Sequence, residues 1–480
     1  MPISPRVLFM TTQGAPPLLA PDQIYGGPFL PEAGPGAAPN GIKTPVGDYD
    51  IADLLAKLPA GWRPDLFVVC TDATSTNRPR NLAALNCPAV LIIGDTHHFP
   101  RPLQSLMGYA SSEPFAASIV VFTRQHAHFF SEAGLERVCW LPGFNVQRVA
   151  LSPGMPIDIP MSFVGQTGKF HPRRTALCEA LKQAGLPIQV GTASNQRTRE
   201  IHRRSQVSLN CSLNGDLNLR LFEILQSGGF LLTDRLSPEA GLDLLLADGE
   251  HLATYDSVAD CIAKSRAYLA DAPLCRAIAQ AGQERYEASV SPERALAGFH
   301  ALLATGAIRA ELDLRRDRRL GLPASNRAEL IARIRIYEVV QELHLQWELV
   351  RTLVLRGVDL RVVTDISDLA RIDVMIDGRA DGEWERAAPL AIAAVGLERR
   401  IRIARRDDDI SGREFDLVIA SGSDWARGAV EQALMRNAEA WLIVSDHPDD
   451  AAMAAGLQAL GFRRVAATPA VFARSSPANA

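Results

Sequence analysis

The stretch NLRLFEILQSGGFLLTD, residues 218–234, places a helix, a stop signal and a strand within seventeen residues. Arg220 and Glu223 lie three positions apart and share one face of the predicted helix, while leucine and isoleucine side chains fall on the other face. The glycine pair that follows predicts the helix end, because glycine adopts the positive φ of a C-terminal cap at little cost. The apolar run 230–233 then predicts a buried strand. This order is typical of a parallel α/β sheet.

The charged face of this helix indicates a ligand site. In open parallel sheets, ligands bind near helix N-termini and strand carboxyl ends, where the helix dipole favours phosphate. Arg220 would add a cation, and Glu223 could accept hydrogen bonds from the two vicinal hydroxyls of a ribose. The alternative is an exposed intrahelical ion pair of Arg220 and Glu223, worth about 0.3–0.5 kcal/mol.

Length and composition restrict the class of protein. A chain of 480 residues is too long for one core and predicts three domains. The net charge of −4 argues against nucleic-acid binding as the main function.

No stretch approaches the roughly eighteen apolar residues of a membrane span and no signal pattern opens the chain, so a cytoplasmic protein is predicted. The seven cysteines lack the short paired spacing of zinc or redox sites and are predicted to be reduced.

Alternating strands and helices predict two Rossmann-like domains in tandem, residues 1–155 and 156–305. Within the first, the proline- and glycine-rich segment 18–41 predicts a long mobile loop. Its residues 24–28 are candidates for contact with the acceptor, and a disordered surface loop is the alternative. The strands expected in these domains are RVLFMTT, DLFVVCTD, AVLIIGD, SIVVFTR and VCWLPG, then MSFVGQ, LPIQVG, VSLNCS, GFLLTD and HLATY.

The last third predicts a helical linker, residues 306–357, and a smaller α/β domain, residues 358–480. One long helix is expected from Asn326 through TLVL at 352–355, and the first strand of the small domain is expected at LRVVTD. The final strands resemble the second half of a class I methyltransferase sheet. Residues 377–382 lack the glycine pattern that lets a backbone approach a cofactor, so a degenerate or accessory domain is predicted.

The second domain opens with FVGQTGKFHPRR, residues 163–174. Gly165 follows a strand and permits close backbone approach, while Lys169, Arg173 and Arg174 supply the charge that a diphosphate needs. The arrangement is not a P-loop, and a generic basic turn is the alternative.

The first domain contributes IIGDTHHFP, in which Asp95, His97 and His98 follow a strand. Asp95 or His97 could act as the base on a hydroxyl, which makes them the candidate catalytic residues; a structural turn is the alternative. Adjacent histidines diverge on an extended chain, so no metal site is predicted. His126 and His128 are expected to be surface or packing residues.

Together, these features resemble a glycosyltransferase of the GT-B architecture, and more narrowly the group 1, spore-maturation (CgeB-like) family. The resemblance covers roughly residues 60–304 and depends on LPGFN at 141–145, on 163–174 and above all on 218–234. It implies that residues 1–155 bind the acceptor and that 156–305 bind a nucleotide-sugar donor.

Carried over by position, the resemblance implies that Glu223 holds the donor ribose and that Arg220 lies near the diphosphate. Gly165 and Lys169 would line the donor phosphates, and Asp95 would face the acceptor.

Related retaining enzymes often carry a second acidic residue eight positions before this glutamate. Here Gly215 occupies that position, with Asp216 beside it. The sugar-contacting carboxylate is therefore either Asp216 or absent, and both retaining and inverting courses stay open.

The leading hypothesis is a metal-independent hexosyl- or other glycosyltransferase. Its substrates would be a UDP- or GDP-linked donor and a protein or glycan acceptor, with no further cofactor. A non-catalytic GT-B-like scaffold and an epimerase of the same architecture are the alternatives.

Overall fold

The computed structural model of the protein divides into two compact units, Met1–Leu314 and Arg315–Ala480. The structure describes residues 5–12, 18–30, 41–97, 101–135, 137–144, 146–213, 215–305, 326–347, 351–355, 357–367, 369, 373–377, 388–390, 392–393, 401–404, 410, 413–422, 424, 428–436, 440–444, 451–466 and 470–474. Among these residues, no helix is both long and apolar enough to cross a bilayer.

The first sheet of unit one is parallel, with order β3-β2-β1-β5-β7-β8-β9 over the described residues. Its central strands are almost entirely apolar because helices and loops cover both faces. The elements of this half are β1 Val7–Met10, β2 Gln23–Gly27, β3 Gly41–Lys43, β4 Gly47–Asp50, α1 Ile51–Leu55, β5 Leu66–Thr71, β6 Asn77–Arg80, β7 Ala89–Ile93, α2 Pro102–Ser112, β8 Phe115–Val120, α3 Ala127–Glu132 and β9 Val138–Trp140.

The prediction of a mobile loop over residues 18–41 is wrong where the structure describes this segment. Strand β2 lies beside β1 in parallel register, and its residues are mostly buried. A Cβ at Gly26 would stand 2.8 Å from the Ile42 carbonyl oxygen, and one at Gly27 would overlap the carbonyl of Thr11. The two glycines therefore permit close strand packing rather than a turn, and residues 24–28 are not a free loop. Residues 31–40 lie outside the described residues.

The second sheet of unit one is also parallel, with order β11-β10-β12-β13-β14 in the described part of the chain. Its elements are β10 Ile159–Val164, α4 Pro172–Gln183, β11 Ile188–Gly191, α5 Asn195–Arg204, β12 Ser205–Leu209, α6 Leu219–Gln226, β13 Leu231–Asp234, α7 Leu242–Leu245, β14 Ala253–Tyr255, α8 Val258–Ala270, α9 Ala272–Ser289 and α10 Pro292–Thr305. Two tandem Rossmann-like sheets confirm the predicted GT-B fold class.

Helix α6 begins and ends as its sequence predicts. The Asn218 side chain accepts a hydrogen bond from the Leu221 N–H and caps the N-terminus, and Gly228 follows the C-terminus with a φ of +67°. Helix α10 then packs against the first sheet, where Phe299 joins the core that contains Phe144. The last helix of this unit thus holds its two halves together.

Unit two contains a third sheet of order β17-β16-β15-β18-β19-β21-β20, in which β21 runs antiparallel to both of its neighbours. This sheet confirms the predicted third α/β domain. The described elements are α11 Arg327–Trp347, β15 Arg351–Val354, α12 Leu360–Ile366, β16 Asp373–Asp377, β17 Ile401–Ala404, β18 Leu417–Ala420, α13 Ala429–Arg436, β19 Trp441–Val444, α14 Ala451–Ala459, β20 Phe462–Ala466 and β21 Ala470–Arg474.

Two secondary-structure predictions in unit two are wrong. Residues 351–354, expected to continue the long helix inside the linker 306–357, form β15 between β16 and β18. The segment LRVVTD, expected to be the first strand, begins helix α12, because the Asp359 carboxylate accepts the Arg361 N–H at 2.8 Å and caps it. Residues 306–325 and 378–382 lie outside the described residues, so the linker and the degenerate cofactor loop stay predictions.

Candidate functional site

A cavity of about 630 Å³ opens at the carboxyl edge of the second sheet, beside the N-termini of α5 and α6. We call it the larger cavity. Parallel sheets place ligands at this edge, where strand ends and helix dipoles meet. Its lining residues are Gln147, Val164, Gly165, Gln166, Arg174, Thr192, Ala193, Asn195, Thr198, Arg199, Asn218, Leu219, Arg220 and Glu223.

Arg220 reaches from α6 across the end of β10. Its Nε donates to the Val164 carbonyl at 2.5 Å, its Nη1 donates to Asn210 Oδ1 at 3.1 Å, and its guanidinium lies 4.4 Å from the centre of the Phe163 ring. A Cβ on Gly165 would overlap Nη2 and stand 2.7 Å from Cζ of Arg220. Gly165 therefore makes room for the arginine.

The larger cavity carries local positive charge. Burial, and after it the charge of the nearby Arg174 guanidinium, lower the pKa of Arg220 to about 10. Arg174 donates to a neutral oxygen, the Cys211 carbonyl, at 3.0 Å. Within the described ranges, neither arginine forms an ion pair with a carboxylate. Two like charges held together in this way favour an anionic ligand between them.

Glu223 does not pair with Arg220. Its Oε1 lies 2.9 Å from Nη1 of Arg199, a residue of the neighbouring helix α5. Arg199 is 1% exposed and Glu223 15%. The alternative of an exposed intrahelical pair is therefore wrong, and both charged residues of the α6 face line the larger cavity.

Two predicted phosphate contacts lie elsewhere. Lys169 is exposed, and its ammonium lies 4.8 Å from the centre of the Phe170 ring. Arg173 is buried, with Nη2 at 3.5 Å from the Asp234 carboxylate and Nη1 donating to the Leu213 carbonyl. Neither residue lines the larger cavity; among the basic residues of 163–174, Arg174 does.

A smaller cavity, of about 220 Å³, lies between the two halves of unit one. Asp95 and His97 line it from the first half, and Asp216 lines it from the second. Asp95 Oδ1 accepts the His97 backbone N–H at 2.8 Å, and His97 Nε2 lies 3.3 Å from Thr123 Oγ1. His98 lies outside the described residues. The smaller cavity shares Arg174, Asn218 and Leu219 with the larger one, so the two are adjacent.

Gly215 lies where related retaining enzymes often carry a second acidic residue, eight positions before Glu223, with Asp216 beside it. Gly215 has a φ of +73°, and its carbonyl accepts a hydrogen bond from the Gln125 side chain of the first half at 3.1 Å. Asp216 is the carboxylate that lines the smaller cavity. Its Oδ1 is buried and has no hydrogen-bond partner among the described residues, an arrangement that costs free energy in the absence of a donor.

His126 and His128 were expected to be either surface or packing residues, and the structure shows that both are buried packing residues. His126 Nδ1 lies 2.8 Å from Thr96 Oγ1, and burial lowers the pKa of His126 well below its usual range.

Arg199 is the main residue lining the larger cavity that the sequence did not single out. Its segment, NQRTREIHRR, carries several arginines, and only its helical spacing from the buried His202 marks Arg199 as facing inward.

Residues 173–301 match the family model described as glycosyl transferase-like. The match includes Arg174, Arg199, Arg220 and Glu223 of the larger cavity. No curated protein matches the chain.

Several solved structures are similar to the chain at low identity. Alr3699/HepE of Anabaena, in complex with UDP and glucose, is 12% identical over 63% of this chain and 100% of that chain, with a TM-score of 0.47. Sucrose-phosphate synthase of Thermosynechococcus elongatus is 12% identical over 58% and 88%, with a TM-score of 0.43. A mutant form of TarM from S. aureus is 10% identical over 50% of this chain, with a TM-score of 0.38, and the match spans 55% of the TarM chain.

Proposed function

We propose that the protein is a glycosyltransferase that takes its sugar from a UDP- or GDP-linked donor bound in the larger cavity. One observation carries the proposal: the cavity gathers Arg174, Arg220 and Glu223 at the carboxyl edge of a parallel sheet. The two arginines match a diphosphate, and the carboxylate matches the vicinal hydroxyls of a ribose. The match of 173–301 to the glycosyl transferase-like model supports the same conclusion.

The chemistry follows from where these charges lie. As the bond between the anomeric carbon and the diphosphate oxygen breaks, negative charge grows on the diphosphate, and Arg174 and Arg220 stabilise it. We therefore expect transfer without a metal ion. The acceptor, a protein or glycan hydroxyl, would enter the smaller cavity beside Asp95, His97 and Asp216.

The two stereochemical courses use this smaller cavity differently. An inverting course needs Asp95 or His97 as the base that takes the acceptor proton. In a retaining course the departing diphosphate takes that proton, and Asp216 faces the sugar. The anomeric configuration of the product distinguishes them. Hexosyl specificity, membership of the spore-maturation branch and a cytoplasmic location stay predictions of the sequence.

The test is a panel of UDP, GDP, ADP and CDP, with the corresponding nucleotide sugars, measured by thermal stabilisation and by nucleotide release. A ligand of the folded state stabilises it by about 2.7 kcal/mol at a hundredfold excess over Kd. Glu223→Ala should abolish this stabilisation. Because the variant leaves the buried Arg199 without its counter-charge, circular dichroism has to show that it is folded before its binding is compared. Glu200→Ala, which removes a partly exposed glutamate of α5 paired with Arg197, is the matched control and should bind normally.

Unchanged nucleotide affinity in Glu223→Ala would refute the ribose contact. No stabilisation by any member of the panel would refute the transferase and favour a scaffold. Donor turnover without an acceptor, and with the nucleotide still attached, would identify an epimerase instead.

A further inference from the structure

We propose that Arg199 positions the Glu223 carboxylate for ribose recognition, and that this pair makes the larger cavity select ribonucleotides over 2′-deoxyribonucleotides. The inference deepens the proposed function and rests on it. Arg199 is a positioning residue, because it acts on the ligand through Glu223.

The first argument is burial. Arg199 is 1% exposed, yet it lines the larger cavity and retains its charge, since burial lowers its pKa only to about 10. A buried cation is costly unless a counter-charge and hydrogen-bond acceptors surround it. The counter-charge is Glu223, at 2.9 Å from Nη1. The folded protein therefore keeps the Arg199 guanidinium beside the Glu223 carboxylate.

The second argument is the geometry of the guanidinium. Nη2 of Arg199 donates to the Gln147 carbonyl at 3.3 Å, which anchors the planar guanidinium through the terminal nitrogen that does not face Glu223. Among the described residues, Nε and Nη1 make no aligned hydrogen bond, although Nη1 lies within ion-pair distance of Glu223 Oε1. The contact between the two charges is therefore an ion pair rather than an aligned hydrogen bond.

The third argument is the effect on Glu223. Among the described residues, the Glu223 carboxylate makes no ion pair or side-chain hydrogen bond other than that of Oε1 with Arg199, so we infer that Oε2 is the oxygen that accepts from hydroxyls in the cavity. A glutamate held in one orientation loses less conformational entropy on binding than a free one. Arg199 also draws the carboxylate away from Arg220, its neighbour three residues back on α6, and so leaves Arg220 to the diphosphate.

The test compares two forms of one ligand. The probe is whichever of UDP, GDP, ADP and CDP binds the wild-type protein, in its ribose and 2′-deoxyribose forms, with Kd measured by calorimetry. Arg199→Met keeps an unbranched, mostly apolar stem and removes the charged guanidinium. Arg197→Met is the matched control, because Arg197 lies on the same helix, is exposed, and does not line the cavity.

We expect the wild-type protein and Arg197→Met to prefer the ribose form by about tenfold or more, the value of one charge-assisted hydrogen bond. Arg199→Met should weaken the ribose form about tenfold and the deoxy form by less than about threefold, so that the preference shrinks. Arg199→Lys keeps the charge but cannot reach both Glu223 and the Gln147 carbonyl, so it should show an intermediate preference.

Three results would overturn the inference: no ribose preference in the wild-type protein, equal losses for both forms in Arg199→Met, or a full wild-type preference in Arg199→Lys. If Arg199→Met does not fold, the preference of Arg199→Lys tests the inference instead. A wild-type protein that binds none of the four diphosphates would refute the proposed function itself.

Discussion

Gly165→Ala tests whether Arg220 holds the diphosphate. The new Cβ would overlap Nη2 of Arg220 and stand 2.7 Å from Cζ and 3.1 Å from Nε. The guanidinium is the flexible end of its side chain, so it should swing out while the backbone of β10 stays in place. It would then lose its contacts with the Val164 carbonyl and with Asn210.

The expected loss follows from the charge-assisted hydrogen bond between Arg220 and a phosphate oxygen. Such a bond contributes about 1.5–3 kcal/mol, which corresponds to about a 10- to 150-fold weaker Kd for the nucleoside diphosphate. Isothermal calorimetry with the diphosphate that binds the wild-type protein measures it. Circular dichroism of the variant should stay that of the wild type, because the displaced atoms belong to one side chain.

Gly191→Ala is the matched control. Gly191 ends the neighbouring strand β11, and a Cβ there meets no atom within 4 Å, so binding should be unchanged. A double-mutant cycle with Arg220→Met isolates the mechanism: if Gly165→Ala acts through Arg220, it should add little in the Arg220→Met background. Binding within about twofold of wild type in Gly165→Ala, or full additivity in the cycle, would refute the reasoning.

Two further predictions concern the smaller cavity and the core. If the course is inverting, Asp95→Asn should lower kcat for transfer by about 100-fold, as measured by steady-state kinetics. The Kd for the donor, measured by calorimetry, should stay the same because Asp95 lines the smaller cavity and not the larger one. Weakened donor binding would contradict this placement. Burial lowers the pKa of His202 to about 3, below that of an unfolded histidine near 6.5, so the unfolded state takes up the proton first and stability is lost as pH falls below about 6.5. The thermal midpoint should therefore fall less steeply between pH 6.5 and 5 in His202→Gln than in the wild-type protein, and equal slopes would show that His202 is not buried in its neutral form.

The sequence predicted most of the architecture because it is encoded locally. Strands of buried parallel sheets are continuous apolar runs, and the Asn218 cap and Gly228 stop of α6 are short-range signals. The same local reasoning failed at β2, because Gly26 and Gly27 are typical of turns until neighbouring strands approach them. It failed again at 351–354, where no breaker separates the end of a helical pattern from a central strand.

The candidate site divides in the same way. The sequence determined that residues 218–234 form a helix with Arg220 and Glu223 on its polar face and a strand behind it, because period and glycine position fix both. Only the tertiary structure decided the partners of these two residues. Arg220 crosses to the end of β10 above Gly165, and Glu223 pairs with Arg199 of another helix. Such contacts depend on the order of strands in the sheet, which brings distant segments together and leaves no mark on the local pattern of residues.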